Sequence, residues 1–131
     1  PMTIIPKNTS AISATYKILP ELKEKFLAHS YRIPTNVVSS ADLTLQLNTM
    51  EELELIENTF EQFSEQNPEI LSINKEALVS SDFVGSNVSG IIDKRFLSVK
   101  DDVLKIMVWY DNEWGYSSRV ADLLGYLKKI S

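Results

Sequence analysis

The chain has 131 residues, 44% of them hydrophobic and 24% charged, with a net charge of −5, one histidine and no cysteine. That length suits a single domain with its own core, and the lack of cysteine excludes disulfides, thiolate metal sites and a thiol nucleophile from these residues. An acidic balance without long single-sign runs argues against nucleic acid, and the absence of a long apolar stretch or a basic leader predicts a soluble, cytoplasmic chain with no membrane partner.

Near the start, Asn8, Thr9 or Ser10 is positioned to cap a helix running to about Phe26, with Ile12, Tyr16 and Leu19 on one face and Pro20 ending or kinking it. Residues 28–34 predict a short strand, and residues 42–48 alternate polar residues with leucines, so one face of that strand belongs to a core. From Glu51 to Glu65, Leu53, Ile56, Phe60 and Phe63 recur at helical spacing among glutamates, which predicts a surface helix with Thr49 as its cap. Asn67-Pro68 breaks it, and the apolar runs that follow predict two short strands with loops. Val103 to Tyr110 is almost continuously apolar, as in a central strand covered on both faces. Ser117 or Ser118 is then the expected cap of a last helix, whose Val120, Leu123, Leu124, Leu127 and Ile130 form an apolar stripe. Helices and strands do not alternate regularly, so the predicted class is α+β, a largely antiparallel or mixed sheet with helices layered on it.

Three polar groupings fall at element boundaries. Asn8-Thr9-Ser10 opens a helix, where free amides and the dipole favour phosphate, although an ordinary cap is the simpler reading. Arg32 ends a strand, where a guanidinium suits phosphate or carboxylate but also a structural ion pair. The third is the run Trp109-Tyr110-Asp111-Asn112-Glu113-Trp114-Gly115-Tyr116-Ser117, a polar turn between strand and helix. The glycines stand at 85, 90, 115 and 125, so no dinucleotide-binding Gly-x-Gly-x-x-Gly is present, and one histidine without thiols provides no metal-ligand spacing.

Four segments occur in the order found in phosphorylating glyceraldehyde-3-phosphate dehydrogenases: Ile4-Ile5-Pro6 through Thr9, Tyr31-Arg32-Ile33-Pro34-Thr35 leading to Asp42-Leu43-Thr44, Val79 to Gly85, and the Trp-Tyr-Asp-Asn-Glu run. The chain thus resembles the C-terminal, catalytic domain of that family over nearly its whole length. The resemblance implies an NAD-dependent enzyme of glycolysis, tetrameric and cytoplasmic, that converts glyceraldehyde 3-phosphate and inorganic phosphate to an acyl phosphate. It implies that Thr9 and the amide of Ser10 bind inorganic phosphate, that Arg32 binds substrate phosphate, that Asn112 holds the nicotinamide carboxamide and that Tyr116 lies close to that ring. These groups are expected to face one cleft whose other wall is an N-terminal nucleotide-binding domain. The family's cysteine nucleophile and activating histidine fall before the matched segments, so no catalytic residue is assigned here and the chain alone is expected to be inactive. His29 reads as surface or structural. Trp109 and Trp114 read as core or interface aromatics, with Asp111 and Glu113 capping backbone or pairing with charge.

Ser10 stands where the family has glycine, Ser13 where lysine is common, Asn36-Val37 where Pro-Asn is usual and Ser118 where asparagine follows the Gly-Tyr-Ser run. Ser10 can donate its amide provided its backbone needs no positive φ. Two alternatives stay open: erythrose-4-phosphate dehydrogenase, whose closing motif tends to carry phenylalanines in place of Tyr110 and Tyr116, and a diverged non-catalytic interaction or assembly module.

Overall fold

The computed structural model describes residues 2–130, and the chain divides between Asn36 and Val37 into two units, each with its own sheet. In the first, strand β1 (Ile5–Lys7) is followed by helix α1 (Ala11–Ile18), a 3-10 turn at Pro20–Leu22 and strand β2 (Ser30–Arg32). β1 and β2 pair antiparallel, with Ile5 opposite Arg32 and Lys7 opposite Ser30. α1 is shorter than the helix predicted to Phe26 because Leu19 precedes a proline, which disfavours helical backbone, and Leu19 accordingly sits at φ −125° and ψ 75°. The returning chain is held by the Tyr16 hydroxyl, which donates to the Phe26 carbonyl at 3.0 Å. β1 escapes a sequence reading because it contains Pro6, which a strand tolerates only where a missing donor is harmless. None of the described residues of this unit is buried.

The second unit contains strand β3 (Ser39–Gln46), helix α2 (Leu53–Gln66), strands β4 (Leu71–Asn74), β5 (Gly90–Asp93), β6 (Ser98–Lys100) and β7 (Val103–Tyr110), and helix α3 (Trp114–Ile130). The sheet order is β3-β7-β5-β4, with β6 also on β7; β4 and β5 are parallel and the other pairings antiparallel. This mixed sheet with helices is the α+β architecture predicted. β3 pairs with β7 along its whole length, from Ser39 opposite Tyr110 to Gln46 opposite Val103. β5 and β6 therefore share the other side of β7, separated by a 3-10 turn at Lys94–Phe96.

Strand alternation sorts the apolar residues into two clusters. Ile92, Leu97, Leu104 and Ile106 pack with Leu43 and Leu47 of the sheet side and with Leu53, Ile56 and Phe60 of α2, three of the four residues of the apolar face read from that helix; the fourth, Phe63, near the helix end, is 46% exposed and lies outside this cluster. Burying each of the four enclosed side chains, Ile92, Leu97, Leu104 and Ile106, contributes about 1.5–3 kcal/mol, and the partly buried ones contribute less. Ile91, one residue from Ile92 and so on the opposite face, joins Val38 and Phe83, with Trp109 packed against them. Coverage of β7 on both faces thus holds at its C-terminal half. Farther back, Lys105 of the second face instead pairs with Asp42 and hydrogen-bonds Thr44.

Other expectations need correction. Thr49 is not the cap of α2: Glu52 occupies that position, and the Thr49 hydroxyl donates to Glu51 instead. The acidic side of α2 is partly engaged, since Lys94 pairs with Glu57 and Glu61, and Lys75 with Glu61. α3 starts at Trp114, before the expected Ser117 or Ser118. Both serines lie inside the helix and donate back to the carbonyls of Glu113 and Trp114, at 2.8 and 2.9 Å. The predicted stripe of α3 is present but exposed, from 39% at Val120 to 63% at Leu124 and 64% at Ile130.

Candidate functional site

The turn from β7 into α3 is built around Asp111, which is 4% exposed. Its Oδ1 accepts the backbone amides of Glu113 and Trp114, at 3.1 and 2.9 Å, capping α3, and its Oδ2 accepts the amide of Gly85 at 2.9 Å. Hydrogen bonding from the Trp114 amide, then from those of Gly85 and Glu113, holds the carboxyl below its ordinary range. Asp111 is thus the cap that the serines were expected to be, in keeping with the preference of a helix N-terminus for negative charge. It also fastens the Val79–Gly85 segment to the strand–helix turn, joining two of the motifs read separately in sequence. Gly85 has φ +78°, and Phe83 stacks on Trp109 with ring centroids 5.5 Å apart.

α3 then packs close to the loop before β5. A Cβ added to Gly115 would stand 3.0 Å from the carbonyl oxygen of Val88, tight enough that a side chain there would press on that backbone. Between these parts lies a cleft of about 300 Å³ lined by Ser89, Tyr110, Asp111, Asn112, Tyr116 and Arg119, with Gly115 at its side. Asn112 and Tyr116, the two residues expected to meet a nicotinamide, are therefore on one cleft. Tyr116 is 73% exposed, and the Asn112 Oδ1 accepts from the Ser39 hydroxyl at 3.4 Å.

Sequence reading missed Arg119. Its guanidinium donates to the Glu69 carbonyl and the Ser89 hydroxyl and pairs with Asp122 at 2.7 Å, binding α3 to the loops beneath it. Its Nε is buried with no hydrogen-bond partner, an unusual state for a donor beside a cleft. The available signal was its spacing of four from Gly115, which puts both on one helix face.

Trp109 is packed as expected, its indole N–H donating to Asp93 at 3.0 Å, whereas Trp114 is 57% exposed. Asp93 is fully buried and also takes the Arg95 guanidinium at 2.8 and 2.6 Å. The Arg95 guanidinium first, and the indole and Arg95 amide with it, hold the Asp93 carboxyl at about 2 against the cost of burial.

Thr9, Ser10 and Arg32 belong to the first unit. The Thr9 Oγ1 accepts the amide of Ala11 at 3.1 Å, leaving its proton free to be donated to an anion. Ser10 has φ −75° and ψ −7°, right-handed helical backbone, so this position needs no glycine. Ser13, at the position where the family commonly has lysine, donates to the Ser10 carbonyl at 3.0 Å. Arg32 sits opposite Ile5, two ladder positions, ~7 Å, beyond the Lys7 end of β1 from which the chain leads to Thr9. His29 is exposed and edge-on to Tyr31 with centroids 5.2 Å apart, in keeping with a surface role. Among the described residues no group of three or more His, Cys, Asp or Glu could hold a metal ion.

The family model described as "Glyceraldehyde 3-phosphate dehydrogenase, C-terminal domain" matches residues 1–112. The chain is 41% identical over 128 residues to the cytosolic glyceraldehyde-3-phosphate dehydrogenase of Mesembryanthemum crystallinum, covering 96% of this chain and 38% of that protein. It is 42% identical over 128 residues to the glyceraldehyde-3-phosphate dehydrogenase of Podospora anserina, again over 96% of this chain and 38% of the relative. That of Phytophthora infestans is 41% identical over 128 residues, 96% of this chain and 39% of the relative. The chain spans less than two-fifths of the length of these relatives. It belongs to the glyceraldehyde-3-phosphate dehydrogenase family, in the part that forms the C-terminal domain.

Proposed function

We propose that residues 1–131 act as the catalytic-domain part of an NAD-dependent, phosphorylating glyceraldehyde-3-phosphate dehydrogenase, joined in function to a nucleotide-binding domain. In that reading Thr9, through its free hydroxyl proton, and Ser10, through its amide, hold inorganic phosphate. Arg32 holds the phosphate of glyceraldehyde 3-phosphate through paired donors. The residues of the cleft suit a nicotinamide: Asn112 presents an amide able to match a carboxamide, Tyr116 an exposed ring, and Arg119 a buried Nε–H without a protein acceptor, its other nitrogens being engaged. NAD, when bound, supplies the hydride acceptor. This chain's residues orient the ring and the phosphate groups, which is one of the contributions a protein makes to a cofactor's chemistry.

The chain has no cysteine, so the thiol that attacks the aldehyde comes from outside these residues, together with its activating histidine. We infer that the exposed apolar stripe of α3 is covered in the whole protein, and that the protein works as a cytoplasmic homo-oligomer, a tetramer. "Cytosolic" stands in the names of several relatives, and no described helix is long and apolar enough to cross a membrane.

The observation that carries the reading is the placement of Asn112 and Tyr116 on one cleft whose turn is pinned by a buried carboxylate. Titrating NAD and phosphate against the full-length protein tests it. Asn112→Ala is expected to weaken NAD and spare phosphate, and Arg32→Ala to weaken substrate phosphate and spare NAD. Unchanged binding in both variants would overturn the residue assignments.

A further inference from the structure

Asn112 follows a residue that is locked in place, yet it is itself exposed, and an amide on an exposed turn ordinarily rotates. One side-chain contact restrains it: the Ser39 hydroxyl donates to Asn112 Oδ1 at 3.4 Å, across 73 residues of sequence. Ser39 is held on both sides. It opens β3 in register with Tyr110, the end of the strand that leads into the Asn112 turn. The residue before it, Val38, is 4% exposed, packed with Phe83 and Ile91, and adopts φ +70°. A buried β-branched residue in left-handed backbone is a rare conformation that persists only where the surroundings enforce it.

We propose that Ser39 is a positioning residue for Asn112, fixing the plane of its amide toward the cleft. An amide oxygen has two lone pairs. With one taken by Ser39, the other and the Nδ2 hydrogens remain for the oxygen and nitrogen of a carboxamide ligand. The hydroxyl makes no contact with the ligand in this scheme; it removes a rotation that binding would otherwise have to freeze. The choice of carboxamide ligand rests on the reading of Asn112 given above, whereas the restraint itself does not.

Two measurements separate them. Without cofactor, the side-chain amide signals of 15N-labelled Asn112 are expected to shift in Ser39→Ala and to stay in place in Ser40→Ala, a control one residue away. In the full-length enzyme, Ser39→Ala is expected to raise the KM for NAD about two- to threefold, the low end of a hydrogen bond's worth as befits a 3.4 Å contact, with the KM values for aldehyde and phosphate unchanged. Ser39→Thr, which keeps the hydroxyl, is expected to restore binding. In an Asn112→Ala background Ser39→Ala should add nothing, since the two act as one unit. Unmoved amide signals, or the same loss from Ser39→Ala with and without Asn112, would overturn the proposal. If the signals respond but Asn112→Ala leaves NAD binding intact, the restraint stands and the nicotinamide reading falls.

Discussion

Replacing Asp93 by asparagine tests whether a buried charge network holds the sheet to its turns. The carboxylate accepts from Arg95 Nε, Arg95 Nη2, the Arg95 amide and the Trp109 indole, between 2.6 and 3.2 Å, from a fully buried position. An asparagine of the same shape offers one oxygen to those donors and turns a second donor toward the rest, so at least two bonds are lost. At about 1.5 kcal/mol for each bond to a charged group, the cost is about 3 kcal/mol. Linkage gives a figure of the same order: a carboxyl moved from 3.8 to about 2 on folding contributes about 2 kcal/mol at neutral pH. The pKa is depressed in the folded state, so this contribution is complete above the unfolded value and is lost as pH falls from about 4 to about 2. Urea unfolding of wild type and Asp93→Asn at pH 7 and at pH 2.5 measures both. The expected result is a gap of about 3 kcal/mol at pH 7 that mostly closes in acid. No gap at pH 7, or one that is equally wide at both pH values, would refute the reasoning.

Further outcomes follow from the site. Asp111→Ala removes the cap of α3 and the tether to Gly85, and should cost about 2–3 kcal/mol in chemical unfolding while also weakening NAD in the full-length protein. The two helical glycines should respond with opposite signs. Gly115→Ala forces a Cβ to 3.0 Å from the Val88 oxygen and should destabilise by about 1–3 kcal/mol, whereas Gly125→Ala enters open space and should stabilise by about 1 kcal/mol; thermal unfolding of both variants checks this. Purified residues 1–131, given aldehyde, NAD and phosphate, should show no turnover, and measurable activity would contradict the division of labour proposed here.

Much of the architecture was readable because its signals are local. The spacing of Leu53, Ile56 and Phe60 revealed the buried face of α2, and the apolar run to Tyr110 revealed the strand that organises the sheet. The helix starts were less legible. Thr49, Ser117 and Ser118 are good caps by residue type, but a cap is chosen by where the chain turns, and at α3 that turn is made by Asp111 because Gly85 from another segment holds its second oxygen. Likewise, residues 90–100 contain two short strands on one side of β7, a division made by the Lys94–Phe96 turn and not by any change of composition.

For the site, the linear sequence carried the residue types and their order: an asparagine and a tyrosine on the strand–helix turn, a threonine before the first helix, an arginine ending a strand, and no thiol anywhere. Their support came from tertiary structure alone. Asp93 meets Trp109, Asp111 meets Gly85, Arg119 meets Glu69 and Ser39 meets Asn112 across gaps of 16, 26, 50 and 73 residues. Periodicity and propensity report only on neighbours within a turn or a strand, so a hydrogen bond that depends on how distant segments come together leaves no local pattern from which to read it.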